Sequence, residues 1–219
     1  MTELQFLSWV RGPGLQIAVT FFLMGITWRL IEILTLGRKR NLSEPRHVAG
    51  ASGWHTLYRR FVPPEGMLQI SPITYIGGYI FHIGLAMIIF FFDPHLRLIK
   101  ELTSLSWSSL PSPIIDLITV VTLVAMVVVL VNRIKCPVKR FLSRFGDYFA
   151  WLVTFLPVLT GYLAAHHLLF SYTVMLALHI LSAELLLIVI PFSNLLHVAT
   201  VWSSRWFNGK INGHRGVPV

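Results

Sequence analysis

Five apolar runs, each about as long as a helix needs to cross a membrane, divide this chain of 219 residues. A hydrocarbon core of roughly 30 Å takes about twenty helical residues to span. The runs cover about 14–36, 72–92, 114–132, 148–168 and 172–196. The balance of 55% hydrophobic to 12% charged residues agrees, because water-soluble domains of this length seldom show it. The expected fold is therefore an all-α, integral membrane five-helix bundle. Only a few residues join the fourth and fifth runs, which predicts an antiparallel helical hairpin. The opening stretch, MTELQFLSWVRGPG, has no basic leader, and the run after it is too long for a signal-peptide core. It is expected to be retained.

Charge gives an orientation. A net charge of +9 would suit a nucleic-acid partner if it formed one patch, but the basic residues gather beside span ends, as cytoplasmic loops do. Arg38, Lys39, Arg40, Arg46, Arg59 and Arg60 follow the first span, and Arg133, Lys135, Lys139, Arg140 and Arg144 follow the third. Arg205, Lys210 and Arg215 follow the fifth, whereas only Arg11, Arg97 and Lys100 fall on the other side. Arg29 lies near the inner end of the first span, within snorkelling reach of the interface. This distribution predicts an N-terminus outside, a C-terminus in the cytoplasm, and no nucleic-acid partner.

The sequence shows no internal repeat, so 1–219 reads as a single transmembrane domain. The loop of about 37–71 is too long for a simple turn, and its Arg, Trp, Tyr and Pro residues suit either a partner-docking segment or one lying among lipid headgroups. On the outer side, LTSLSWSSLPSP reads as a short interfacial stretch with Trp107 as its aromatic anchor.

Cys136 is the only cysteine. That excludes an internal disulfide, a cysteine-ligated iron–sulfur cluster and a CxxCH haem attachment. A redox centre in this chain would have to be held by histidine.

Nine histidines are present, and their depth sorts them. His47, His55 and His214 belong to cytoplasmic segments and read as ordinary polar residues. His82 lies mid-span in the second helix, His179 about two turns inside the fifth, and His197 at the inner end of the fifth. His95, His166 and His167 cluster at outer ends. An imidazole inside a bilayer is costly without a partner, which makes these positions functional candidates. Eighteen residues at about 100° each make five turns, so a continuous helix would put His179 and His197 on one face, roughly 27 Å apart. Pro191 is the residue that could break that register.

Two levels of imidazole suit two stacked haem sites within a bundle. The expected inner pair is His82 with His197. Gly77 and Gly78 beside His82 would let a flat macrocycle approach the backbone. The competing reading is that His82 only hydrogen-bonds across a helix interface. For His179, the partner is His95, His166 or His167. Glu184, about one and a half turns from His179, is a candidate for quinol proton transfer or else a satisfied polar contact within the bundle. Asp116, Asp147 and Glu32 lie near span ends and carry no expected role.

This pattern of five spans, with a mid-span histidine in the second, H-x17-H in the fifth and PFSNLLH at its inner end, resembles the cytochrome b family of respiratory nitrate reductase gamma subunits. The related membrane cytochromes b of heterodisulfide-reductase-like and sulfite-reductase-linked complexes belong to the same group, and FGDYFAWLVTFLPVLTGYL looks like the sulfur-linked branch. The resemblance covers the second to fifth spans. It implies that His82 and His197 ligate an inner haem b and that His179 ligates an outer one. The family's second outer ligand lies ten residues after the first histidine of the second span, where this chain has Phe92. Either the outer haem is absent or another residue holds it. His95 is one turn beyond Phe92, although Pro94 can end the helix first. The resemblance also implies a multi-pass subunit of the cytoplasmic membrane that passes electrons between membrane quinone and a cytoplasmic iron–sulfur subunit. The alternative from another class is a haem-free membrane anchor that docks a soluble redox partner.

Overall fold

The structure is a computed structural model describing residues 1–36, 42, 44–46 and 52–217. His47 and the basic cluster Arg38, Lys39 and Arg40 lie outside the described residues. Among the described residues the regular structure is helical, without strands. Five helices are long and apolar enough to cross a membrane: Glu3–Thr35, Pro72–Phe91, Ser112–Lys135, Phe145–Ala165 and Tyr172–Phe192.

The first span starts earlier than its apolar run suggests. Thr2 and Gln5 form a reciprocal cap, with the Gln5 N–H donating to Thr2 Oγ1 and the Thr2 N–H donating to Gln5 Oε1. The helix then passes through a π-helical turn at Val10–Gly14, where Pro13 supplies no N–H. The second span begins on Pro72 and stops at Phe91. Phe92 is extended (φ −80°, ψ 126°), and a short helix, Asp93–Thr103, starts immediately with Pro94 in its first turn. Trp107, expected to be an interfacial anchor, donates its indole N–H to the Phe90 carbonyl at 2.7 Å. It ties the returning segment to the end of the second span.

The spans pack in the order first, fifth, fourth, third, second. The antiparallel hairpin of the fourth and fifth is present as expected. Gly77 and Gly84 of the second span are seven residues apart, on one helical face, and lie against Val129 and Thr122 of the third. This differs from the expectation that Gly77 borders a cofactor: it is buried in the seam with the third span, while a Cβ on Gly78 would meet open space. Ile88, Met126 and Val158 form a core shared by the second, third and fourth spans.

The fifth span is not one helix as far as His197. Its α-helix ends at Val189, a 3₁₀ turn covers Ile190–Phe192, Ser193 is extended, and a second 3₁₀ turn covers Asn194–Leu196. His197 is the first residue of a separate helix, His197–Arg215. The five-turn register expected for His179 and His197 is thereby overturned, because Pro191 cannot donate to the helical ladder. Arg29 of the first span donates from Nε to the Pro191 carbonyl at 3.1 Å and from Nη1 to Glu32 at 2.7 Å. Gly25 lets the first span close onto the Pro191 ring. Arg29 thus satisfies a carbonyl at the break, where an unpaired one is costly in hydrocarbon.

The C-terminal helix packs on Gly53–Arg59, with Gly209 against Thr56. The loop read as a docking or headgroup segment therefore contributes a helix to a layer at the end of the bundle that carries Arg133, Lys139 and Arg144. That end is called the basic end below. His55 is exposed there, its N–H donated to Ser52 Oγ. The His214 carbonyl accepts from the Arg46 N–H at 2.9 Å.

Candidate functional site: two histidine pairs between spans

His82 projects from the middle of the second span and His197 from the start of the C-terminal helix, yet their ring centres lie 6.2 Å apart with planes at 69°. At the opposite end, His95 and His179 have ring centres 6.0 Å apart with planes within 20° of parallel. The second and fifth spans make no extensive backbone contact, so these pairs connect elements that otherwise pack elsewhere.

All four imidazoles are held in the same way. Nδ1–H donates to a main-chain carbonyl in each: His82 to Gly78 at 2.7 Å, His197 to Asn194 at 2.9 Å, His95 to Ile88 at 3.0 Å and His179 to Pro157 at 3.0 Å. A carbonyl oxygen only accepts, so Nδ1 carries a proton, and in the neutral ring Nε2 then holds the lone pair. Anchoring one ring nitrogen so that the other is a free base is how metal-binding histidines are oriented.

The spacing of each pair would let both rings reach one metal ion. A metal–imidazole bond is ~2 Å and a ring centre lies ~1 Å behind its Nε2, so two imidazoles on opposite sides of one metal have centres about 6 Å apart. Among the described residues, no group of three or more His, Cys, Asp or Glu side chains could hold a metal ion. That donor set is too small for tetrahedral zinc or a di-iron carboxylate centre. Two imidazoles per site would be enough to hold a haem, which would supply the remaining iron ligands itself.

At the opposite end the structure brings His95, and not Phe92, to face His179. Because the second span stops at Phe91 and turns, His95 folds back until its Nδ1–H reaches the carbonyl of Ile88, seven residues earlier. Phe92 packs edge-on against the His95 ring, with centres 5.4 Å apart. His166 and His167 are engaged elsewhere. His166 lies 3.3 Å from Asp116 and against Tyr162, and His167, at φ 54°, lies against Tyr172.

Several residues that orient the pairs escaped sequence reasoning. Gly161 is one, since a Cβ there would stand 3.0 Å from His179 Cε1 and 3.1 Å from Nδ1. Pro157 supplies the carbonyl for His179, while the Ser182 hydroxyl donates to the His179 carbonyl at 2.7 Å and meets Thr160 Oγ1 at 3.1 Å. Asp147 is another: Asn194, whose carbonyl holds His197, donates its side-chain amide to Asp147 Oδ1 at 2.8 Å. The sequence signal for Asp147 was its place three residues after Arg144, whose N–H it accepts at 2.8 Å as a helix cap. Nothing local pointed to Asn194.

Glu184 is not brought to His179. It is 4% exposed and turned toward the first span, where a Cβ on Gly14 would stand 3.0 Å from its Oε2. Its Oε1 has no hydrogen-bond partner among the described residues, so it is not the satisfied contact that was one of its two expected roles.

The fold and site define a helical protein with five potential membrane spans and two facing histidine pairs. The chain is similar to a protein of Nitratidesulfovibrio vulgaris (strain Hildenborough), 29% identical over 194 residues, which are 88% of this chain and 82% of the relative. The relative is described only as "Protein". No family model matches the chain, and no solved structure matches it.

Proposed function

We propose that the chain is a quinone-linked membrane cytochrome b subunit that passes electrons between the membrane quinone pool and a cytoplasmic iron–sulfur partner subunit. Its two haem b sites are His82 with His197 and His95 with His179. The observation that carries this reading is the pairing of four imidazoles, each anchored at Nδ1, with ring centres 6.2 and 6.0 Å apart. When bound, haem b supplies reversible one-electron chemistry at iron. The chain's own residues fix ligand direction: Gly78, Ile88, Pro157 and Asn194 through their carbonyls, and Gly161 by leaving room for a ring. With one cysteine the chain cannot hold an iron–sulfur cluster, so electrons entering or leaving the membrane need a partner that does.

The basic end is the cytoplasmic one in this reading, which leaves the N-terminus outside and makes the chain a multi-pass protein of the cytoplasmic membrane. The layer of Gly53–Arg59 and His197–Arg215 lies there and exposes Trp54, Tyr58 and Trp202. That layer also favours the second reading, a haem-free anchor docking a soluble redox partner. Absorbance separates the two. Purified protein should give a b-type alpha band in its dithionite-reduced minus oxidised spectrum, and a water-soluble quinol should produce part of that band. A monodisperse, helical but colourless protein would refute the cytochrome and leave the anchor.

A further inference from the structure

A second feature lies beside the His82 and His197 pair. Between the start of the fourth span and the break in the fifth is a cleft of about 370 Å³. Its lining includes Phe145, Gly146, Phe149 and Phe192, with the polar residues Ser193 and Asn194 side by side. The Phe145 and Phe149 rings are nearly parallel (15°) with centres 6.0 Å apart. Phe145 is 82% exposed and Phe192 58%, so the cleft is open to the surroundings of the bundle.

We propose that this cleft binds the head ring of a quinone, at the basic end of the bundle. The inference rests on the quinone-linked reading above and adds a location to it. Three observations favour a quinone. The lining is rich in flat aromatic rings, matching a planar ring. The polar groups are few and adjacent, as in sites that orient a mostly apolar ligand by one or two carbonyl contacts. Asn194, one of them, holds the Nδ1–H of His197 on its carbonyl and Asp147 on its amide, so a ligand touching Asn194 is one residue from a haem-ligand candidate. Gly146 lines the cleft, and a Cβ added there would meet nothing within 4 Å, which leaves space for a larger side chain.

The test is equilibrium binding of 2,3-dimethyl-1,4-naphthoquinone to the full chain in nanodiscs. Gly146→Trp, with Gly146→Leu as a smaller filler, should weaken binding at least tenfold while circular dichroism and the b-type alpha band stay unchanged. Gly12 provides the control. It lines a separate cleft at the other end with Leu4, Leu7, Ser8 and Arg11, and its Cβ position is equally open. Gly12→Trp should leave binding as it was. If wild-type protein binds naphthoquinone and both fillers at Gly146 bind it equally well, the location is wrong and the quinone reading stands. If wild-type protein does not bind it at all, the quinone reading falls with the location. Loss of a co-purifying phospholipid from Gly146→Trp, with quinone binding unaltered, would assign the cleft to lipid and overturn the proposal.

Discussion

Each ligand candidate depends on one hydrogen bond to a carbonyl that its own surroundings expose. His82→Ala and His197→Ala should each remove the haem at the basic end, while His95→Ala and His179→Ala should each remove the other; pyridine haemochrome content reads both. His166→Ala and His167→Ala should keep the full complement, because those rings pair with Asp116 and Tyr172 instead. Gly161→Ala is a finer probe. Its methyl group would press on His179 and strain the 3.0 Å bond to Pro157. Loss of an outer-shell orienting contact typically weakens metal affinity roughly 10–100-fold. Haem titration of the apo-protein should show that drop at one site only, with the His82 and His197 site unchanged. That His82 and His197 lie at one level was legible from their depth, while the five-turn spacing failed at Pro191. Gly161 and Asp147 were not legible, because each acts on a residue of another helix.

At the scale of elements, two seams decide whether the pairs meet. Gly84 brings the second span onto Thr122 of the third, so Gly84→Ala overpacks the seam and should cost about 1–3 kcal/mol. A chemical unfolding curve in mild detergent reads that loss, and Thr122→Ala in the same chain should recover part of it. The break after Val189 is the other seam. Pro191→Ala restores a helical donor, lets the fifth helix run on and turns His197 away from His82. Haem at the basic end should fall while haem at the other end persists; retention of both would mean that Ser193 and the contacts of Arg29 hold the break without proline. Apolar run length located all five spans because crossing hydrocarbon demands length and apolarity, both local properties. It could not give the path from Val189 to His197, which Gly25 and Arg29 of the first span help to fix. The same limit explains His95: the turn after Phe91 was visible as Pro94, but its direction depends on the carbonyl of Ile88 and on packing around Phe92.

In the whole molecule, five helices packed in sequence hold two histidine pairs, one at the basic end and one at the other. That packing order leaves the second and fifth spans free of extensive backbone contact, and imidazole pairs connect their surroundings at both levels. Under the proposed function, two histidine pairs that each held a haem would relay electrons to a partner carrying the cluster that a single cysteine cannot hold. The most direct test is the haem-to-protein ratio of the purified chain, measured beside His82→Ala and His95→Ala. The account predicts two haem b per wild-type chain and one in each variant, with different residual alpha bands. A properly folded wild-type chain without haem, or a ratio that His95→Ala leaves unchanged while His166→Ala lowers it, would contradict it.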